Sequence, residues 1–217
     1  RGELARTIGR IDFVREVDFY RTICDGLAPE FESSSAWTFS QDRGSMIDEY
    51  IVDHEEYLGV GSGALSFLDG RIYHNTFSLH DYERRIDAGE MSVAKAGHPY
   101  SKVARMRYRF VTDLFGLTLD KDRFRKDFGL PIELGLPAEM AFMRLTGGIA
   151  SDDGHTLTLS AKGRYLLLVM MRETLAASND IRDHERTLLP ADEKMLLFDN
   201  PSACAVQKPE EECLAAS

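Results

Sequence analysis

Tyr57-Leu58-Gly59-Val60-Gly61-Ser62-Gly63-Ala64-Leu65-Ser66-Phe67-Leu68-Asp69-Gly70-Arg71-Ile72-Tyr73-His74-Asn75 sets three glycines at alternate positions ahead of a turn dipeptide. Apolar Tyr57, Leu58 and Val60 lead into the glycines, so the run reads as a strand ending in backbone with almost no side chain. Glycine packs nothing and gives up the most entropy on folding, so three together point to a close ligand, a sharp bend, or both. Bare amides there would be open to an anionic group. Beyond them, residues 64–67 and 72–74 flank Asp69-Gly70, a strong hairpin signal. The G-x-G-x-G spacing matches neither phosphate-binding fingerprint. Bend and ligand contact both stay open on spacing alone.

With 217 residues the chain can bury one good core or two small ones. A formal charge of -10 argues against nucleic-acid binding, which draws on clustered Lys and Arg. The local basic groups, Lys102 with Arg105, Arg107 and Arg109, and Arg84 with Arg85, read first as solvated helix faces. No run approaches the ~18 apolar residues of a membrane span, and Arg1-Gly2-Glu3-Leu4 does not read as a signal peptide. A cytoplasmic protein is the expectation. Cys24, Cys204 and Cys213 are too few and too scattered for a disulfide framework, so reduced thiols are expected.

Along the chain, residues 11–27 carry an amphipathic helical stripe with Asp12 placed to cap it. Residues 32–35 read as a polar turn, 36–40 as a strand and 46–52 as a further strand or rim segment. The acidic run Asp53, His54, Glu55, Glu56 reads as a loop, since consecutive residues rarely converge on one ion. His74 and His80 belong to no recognisable motif and read as rim or surface histidines. A short helix is expected within 79–89, and Gly97-His98-Pro99 is the best domain boundary. Residues 101–117 form the strongest helix, apolar on two faces and therefore buried between neighbours. Leu119-Asp120-Lys121-Asp122 offers a cap for a helix over 123–128. A helix over 136–145 has Ala138, Phe142 and Leu145 on its apolar face, with Met140 and Met143 beside them as core filler. Residues 149–154 read as a polar turn, 155–159 as a strand, and Ser160 as the cap of a helix over 161–177.

The 57–75 run, with Asp48-Glu49-Tyr50 before it and Tyr82 after it, resembles the oxygen-independent coproporphyrinogen III oxidases and their radical S-adenosylmethionine relatives. Leu157-Thr158-Leu159-Ser160-Ala161-Lys162-Gly163-Arg164 resembles part of the accessory C-terminal domain of the same enzymes. The resemblance implies an α/β fold. Residues 1–97 would be the last strands and helices of a partial (β/α) radical-SAM barrel, and 98–187 a mostly helical, winged-helix-like accessory domain, with 188–217 an extension or loose tail. It further implies contact with S-adenosylmethionine by Ile47, Asp48, Gly59, Gly61, Gly63 and Leu65. Tyr50, Arg105 and Arg109 would face a tetrapyrrole substrate. No catalytic and no metal-binding residue is expected in this chain.

Two departures from the family matter. The C-x-x-x-C-x-x-C triplet that holds the 4Fe-4S cluster is absent from the sequence. The cluster is therefore expected on an upstream barrel segment of the same protein, and this chain is expected to be inactive alone. Asp48 also stands where the family's best-studied branch has an amide, and the stretch from Tyr50 to Gly59 is one residue shorter, which leaves the bound group open. A haem chaperone or an anaerobic haem-degrading relative is the nearest alternative. A non-catalytic tetrapyrrole- or protein-binding module lacking the cluster is an alternative of another class.

Overall fold

The computed structural model describes residues 12–28, 30–41 and 56–198, with the side chains of 173–181 left aside. Ile47, Asp48, Tyr50, Cys204 and Cys213 lie outside the described residues. In chain order the elements are α1 (Phe13–Leu27), β1 (Glu32–Ser33), β2 (Phe39–Ser40), β3 (Leu65–Leu68), β4 (Arg71–Asn75), α2 (Leu79–Asp87) and β5 (Val93–Ala96). They continue as α3 (Lys102–Phe115), β6 (Thr118–Asp120), α4 (Lys121–Phe128), α5 (Ile132–Gly135), α6 (Pro137–Leu145), β7 (Ile149–Asp152), β8 (Thr156–Leu159), α7 (Ala161–Thr187) and α8 (Ala191–Phe198). The chain is mixed α/β. It divides into one unit from residues 1–55 and 100–172 and another from 56–99 and 173–217.

In the first unit, α1 starts where the sequence places it, because the Asp12 carboxylate accepts from the Val14 and Arg15 N–H groups. Residues 32–40 differ from expectation. They form a small hairpin of β1 and β2 in which Ser34 and Ser35 both donate their N–H groups to the Thr38 carbonyl. Ala36 is fully buried and donates its N–H to the Phe115 carbonyl at 2.9 Å, which pulls the middle of the expected strand out of the ladder. The helix α3 is capped by Ser101 and buries Met106, Phe110, Leu114 and Phe115 against Leu119, Phe124, Ile132, Leu136, Met140, Met143 and Leu157.

Two corrections fall in this core. The buried face of α6 is Met140 and Met143, each 1% exposed, while Phe142 and Leu145 are 48% and 88% exposed. Leu136, Met140 and Met143 repeat at i, i+4 and i+7, and packing selects that stripe over its equally apolar neighbour. Residues 149–152, read as a turn, are a strand, and so are residues 118–120, whose Asp120 also caps α4 as expected by accepting the Arg123 N–H at 2.8 Å. With β8 they form a three-stranded antiparallel sheet ordered β6-β8-β7. β6 is three residues long with only Leu119 facing the core, and β7 is mostly exposed, so neither shows the run of alternation that marks β8.

The motif around Gly163 has a packing reason. A Cβ there would lie 1.9 Å from the Gly148 carbonyl oxygen. Ser160 donates its N–H to that carbonyl and its hydroxyl to the Gly147 carbonyl, while also capping α7 at the Gly163 N–H. Arg164 donates to the Ser33 hydroxyl. The helix runs on to Thr187, beyond the expected end near 177.

In the second unit, Asp69 and Gly70 take φ of 47° and 66°, the two positive angles of a type I′ turn, and join β3 to β4. A third strand, β5, follows in the order β3-β4-β5. It was not legible because its residues are mostly exposed and show no apolar pattern. Every strand pair among the described residues is antiparallel. The parallel pairs that define a (β/α) barrel are not among them.

Candidate functional site

The glycine run is a turn rather than a strand. Tyr57 makes a single bridge with Phe67, each N–H donating to the other's carbonyl at 3.0 Å, and the ladder stops there. The next in-line donor, Gly59 N–H, goes instead to the Ser66 hydroxyl at 3.0 Å. Freed from the sheet, Leu58 and Val60 are 67% and 82% exposed.

Each glycine has its own internal cause. A Cβ on Gly59 would sit 2.2 Å from the Leu65 carbonyl oxygen, so the backbone itself leaves no room. Gly61 has φ of 107° with nothing within 4 Å of the added Cβ; its requirement is conformational, not spatial. Gly63, at φ of 67°, lies against the Phe77 ring, 2.9 Å from the added Cβ. The expectation of bare amides open to an anion is not met at these three residues. Gly59 donates to Ser66, Gly61 to the Tyr82 hydroxyl at 3.2 Å, and Gly63 to the Thr76 carbonyl at 2.8 Å.

Two side chains lock the turn. Asn75 ends β4 at a bulge in its pairing with β5, which redirects the side chain out of the ladder alternation. Its amide donates to the carbonyls of Gly59 and Gly61. Tyr82 reaches back from α2 to Gly61, and the Ser62 hydroxyl donates to the Phe77 carbonyl at 3.0 Å. Leu65, at the start of β3, is half-buried. The turn thus presents Leu58, Val60 and the open side of Gly61 outward. None of residues 58–63 carries a titratable group, so this surface can hold and exclude water but cannot exchange protons.

Next to it, His74, expected at a rim or surface, is instead buried at 9% exposure, and its Nδ1 has no hydrogen-bond partner. Burial lowers its pKa, and Lys95, directly across the ladder, and Arg182 push the same way against Glu185. His80, expected at a rim or surface, is exposed and its Nε2 lies 3.2 Å from an Asp192 carboxylate oxygen.

The arginines belong to the first unit and fare differently. Arg105 is half-buried. Arg109 is 2% exposed, which overturns its reading as a solvated residue. Its guanidinium lies 3.4 Å from Asp113 and donates to Asp127 at 3.2 Å, so carboxylates of its own unit engage it. Burial, the largest influence, lifts the Asp113 carboxyl to about 7 despite Arg109 and Arg123, and Asp127 and Asp120 add to the rise. Lys102 and Arg107 of this cluster are surface residues, Arg107 paired with Glu139 at 2.6 Å.

Among the described residues no group of three His, Cys, Asp or Glu is placed to hold a metal ion, and Cys24 is a half-buried free thiol. These residues do not fit an iron-sulfur cluster. Also among them, no helix is long and apolar enough to cross a membrane. Sequence reasoning missed the outward role of Leu58 and Val60, which were read as strand residues; the interposed glycines were the available signal.

The chain matches no family model and no curated protein. Among solved structures it is similar to coproporphyrinogen III oxidase (HemN) from Escherichia coli, a radical SAM enzyme, with 15% identity and a TM-score of 0.49. That similarity covers 70% of this chain and 38% of the other, so the chain spans little more than a third of its neighbour's length. A likeness of this size establishes neither family nor function.

Proposed function

We propose that this chain is the C-terminal part of a radical S-adenosylmethionine enzyme of the coproporphyrinogen III oxidase kind, a cytoplasmic enzyme that oxidatively decarboxylates porphyrinogen propionates in haem biosynthesis. The observation that carries the reading is the convergence of Asn75 and Tyr82 on Gly61. The resemblance rests in part on those two residues, and they are the side chains that hold the turn. In the second motif, Gly163 likewise has a definite packing task against Gly148. The order α3-β6-α4-α5-α6-β7-β8-α7, with its β6-β8-β7 sheet, supports reading residues 98–187 as the winged-helix-like accessory domain.

In this reading S-adenosylmethionine and a 4Fe-4S cluster supply the radical chemistry, with the cluster's ligands outside the described residues. The chain contributes a wall. Leu58 and Val60 pack on the cofactor or macrocycle beside Gly59, Gly61, Gly63 and Leu65; by the resemblance Ile47 and Asp48 remain candidates for the cofactor and Tyr50 for the substrate. Arg105 remains a candidate for a substrate propionate. Arg109 does not, since pairing it with substrate would strand Asp113 and Asp127.

The test is an anaerobic assay of the chain joined to whatever sequence precedes it in its gene. The expected result is 5′-deoxyadenosine formation and carbon dioxide release from coproporphyrinogen III by the longer protein, and neither by the 217-residue chain. Turnover by the 217-residue chain alone, or none by the cluster-loaded longer protein, would overturn the proposal.

A further inference from the structure

A carboxylate from the end of the described chain is sealed inside the second unit. Glu193, on α8, is fully buried. Its Oε1 accepts from the Ser78 hydroxyl at 2.6 Å and the His80 N–H at 3.2 Å, and its Oε2 accepts from the Leu79 N–H at 3.1 Å. These donors open α2, where N–H groups have no acceptor within the helix and the dipole favours negative charge. Ser78 already caps α2 by accepting from the Asp81 N–H at 3.0 Å. Glu193 therefore does not replace a missing cap. It fastens a capped helix to a segment 115 positions away in sequence.

What α2 carries gives that fastening a consequence. The Ser78 carbonyl accepts the Tyr82 N–H at 3.0 Å, so Tyr82 sits one turn from the clamp, and its hydroxyl accepts the Gly61 N–H. In turn, α8 is held to the end of α7 by Lys194, which donates to the Thr187 carbonyl at 2.6 Å, and by buried Leu189. The exposed His80 and Asp192 pair adds little to this.

We infer that Glu193 is a positioning residue for the glycine turn: its buried carboxylate fixes the start of α2, and through Tyr82 it fixes the backbone at Gly61. Glu193 makes no hydrogen bond to the turn itself. The inference goes beyond the proposed function and holds whatever the turn contacts.

Amide hydrogen exchange on the full chain tests it. In Glu193→Ala, exchange is expected to rise about tenfold, equivalent to about 1.4 kcal/mol, in peptides covering 78–83 and also in those covering 57–64, with 102–115 unchanged. Tyr82→Phe, which removes the acceptor and keeps the helix, is expected to raise exchange at 57–64 alone. Faster exchange at 78–83 with 57–64 unchanged in Glu193→Ala, or no change at 57–64 in Tyr82→Phe, overturns the inference. Should Glu193→Ala also loosen 102–115, the same two outcomes are read in Glu193→Gln, which retains one carbonyl acceptor.

Discussion

Asn75 donates its side-chain amide to the Gly61 carbonyl at 3.0 Å, and the same nitrogen reaches the Gly59 carbonyl at 3.2 Å. One side chain thus satisfies both carbonyls of a turn that has left the sheet ladder. Asn75→Ala leaves both without that donor, at a cost of about 1–3 kcal/mol. Asn75→Asp is expected to cost more, because an ionised oxygen would face two carbonyl oxygens. Urea unfolding of the three proteins checks the order: wild type most stable, then Ala, then Asp.

The three glycines should separate on substitution. Gly59→Ala drives a Cβ into the Leu65 backbone and forces the turn away from β3. Gly61→Ala meets no atom and carries only the strain of a positive φ, on the order of 1–2 kcal/mol. Thermal unfolding is expected to rank Gly59→Ala below Gly61→Ala. The reverse order would mean that the two glycines have been given the wrong causes.

Asp113 sets a pH dependence for the first unit. Its folded pKa, near 7, exceeds the ordinary 3.8, so the folded state keeps a proton that the unfolded state has released. The protonated group's contribution to stability is complete below about pH 4, falls as pH rises, and is lost above about pH 7. Asp113→Asn keeps the shape without the charge. It should remove this slope and raise stability at pH 8 by an amount on the order of a few kcal/mol. Trp37, edge-on to Phe115 at 4.6 Å, provides the fluorescence signal for this unit.

His74 gives the second unit the opposite slope. Its folded pKa is lowered, so below pH 6.5 the unfolded state takes up a proton that the folded state refuses until lower pH. Stability therefore falls as pH drops through 6.5 and levels off below the folded pKa. His74→Gln should abolish that fall, read as amide exchange in β3, β4 and β5 between pH 7 and pH 5 after correction for intrinsic exchange rates.

Local chemistry made part of this fold legible. Asp12, Asp120 and Ser160 cap the helices the sequence assigns to them, and Asp69-Gly70 turns where its backbone preference requires. What stayed hidden depends on partners distant in sequence. Residues 93–96, 118–120 and 149–152 are strands only because a neighbour offers them a ladder. Met140 and Met143 are interior because packing chose between two apolar stripes on α6. At the site, the run 57–63 was visible as glycine-rich backbone, but its donors could not be traced to Ser66, Thr76 and Tyr82 without coordinates. Burial of Arg109 was equally invisible, since its carboxylate partners lie on the same helix and on α4.

In the proposed function the glycine turn, held by Ser66, Asn75 and Tyr82, turns Leu58 and Val60 toward a bound cofactor or substrate. Val60 is 82% exposed, so Val60→Ser should leave the fold intact. The most direct measurement is equilibrium binding of S-adenosylmethionine and of coproporphyrinogen III to the longer protein, wild type against Val60→Ser. The account predicts an unchanged melting temperature and a roughly tenfold loss of affinity for at least one of the two, the scale of one valine's packing. Equal affinity for both ligands in the two proteins would contradict it.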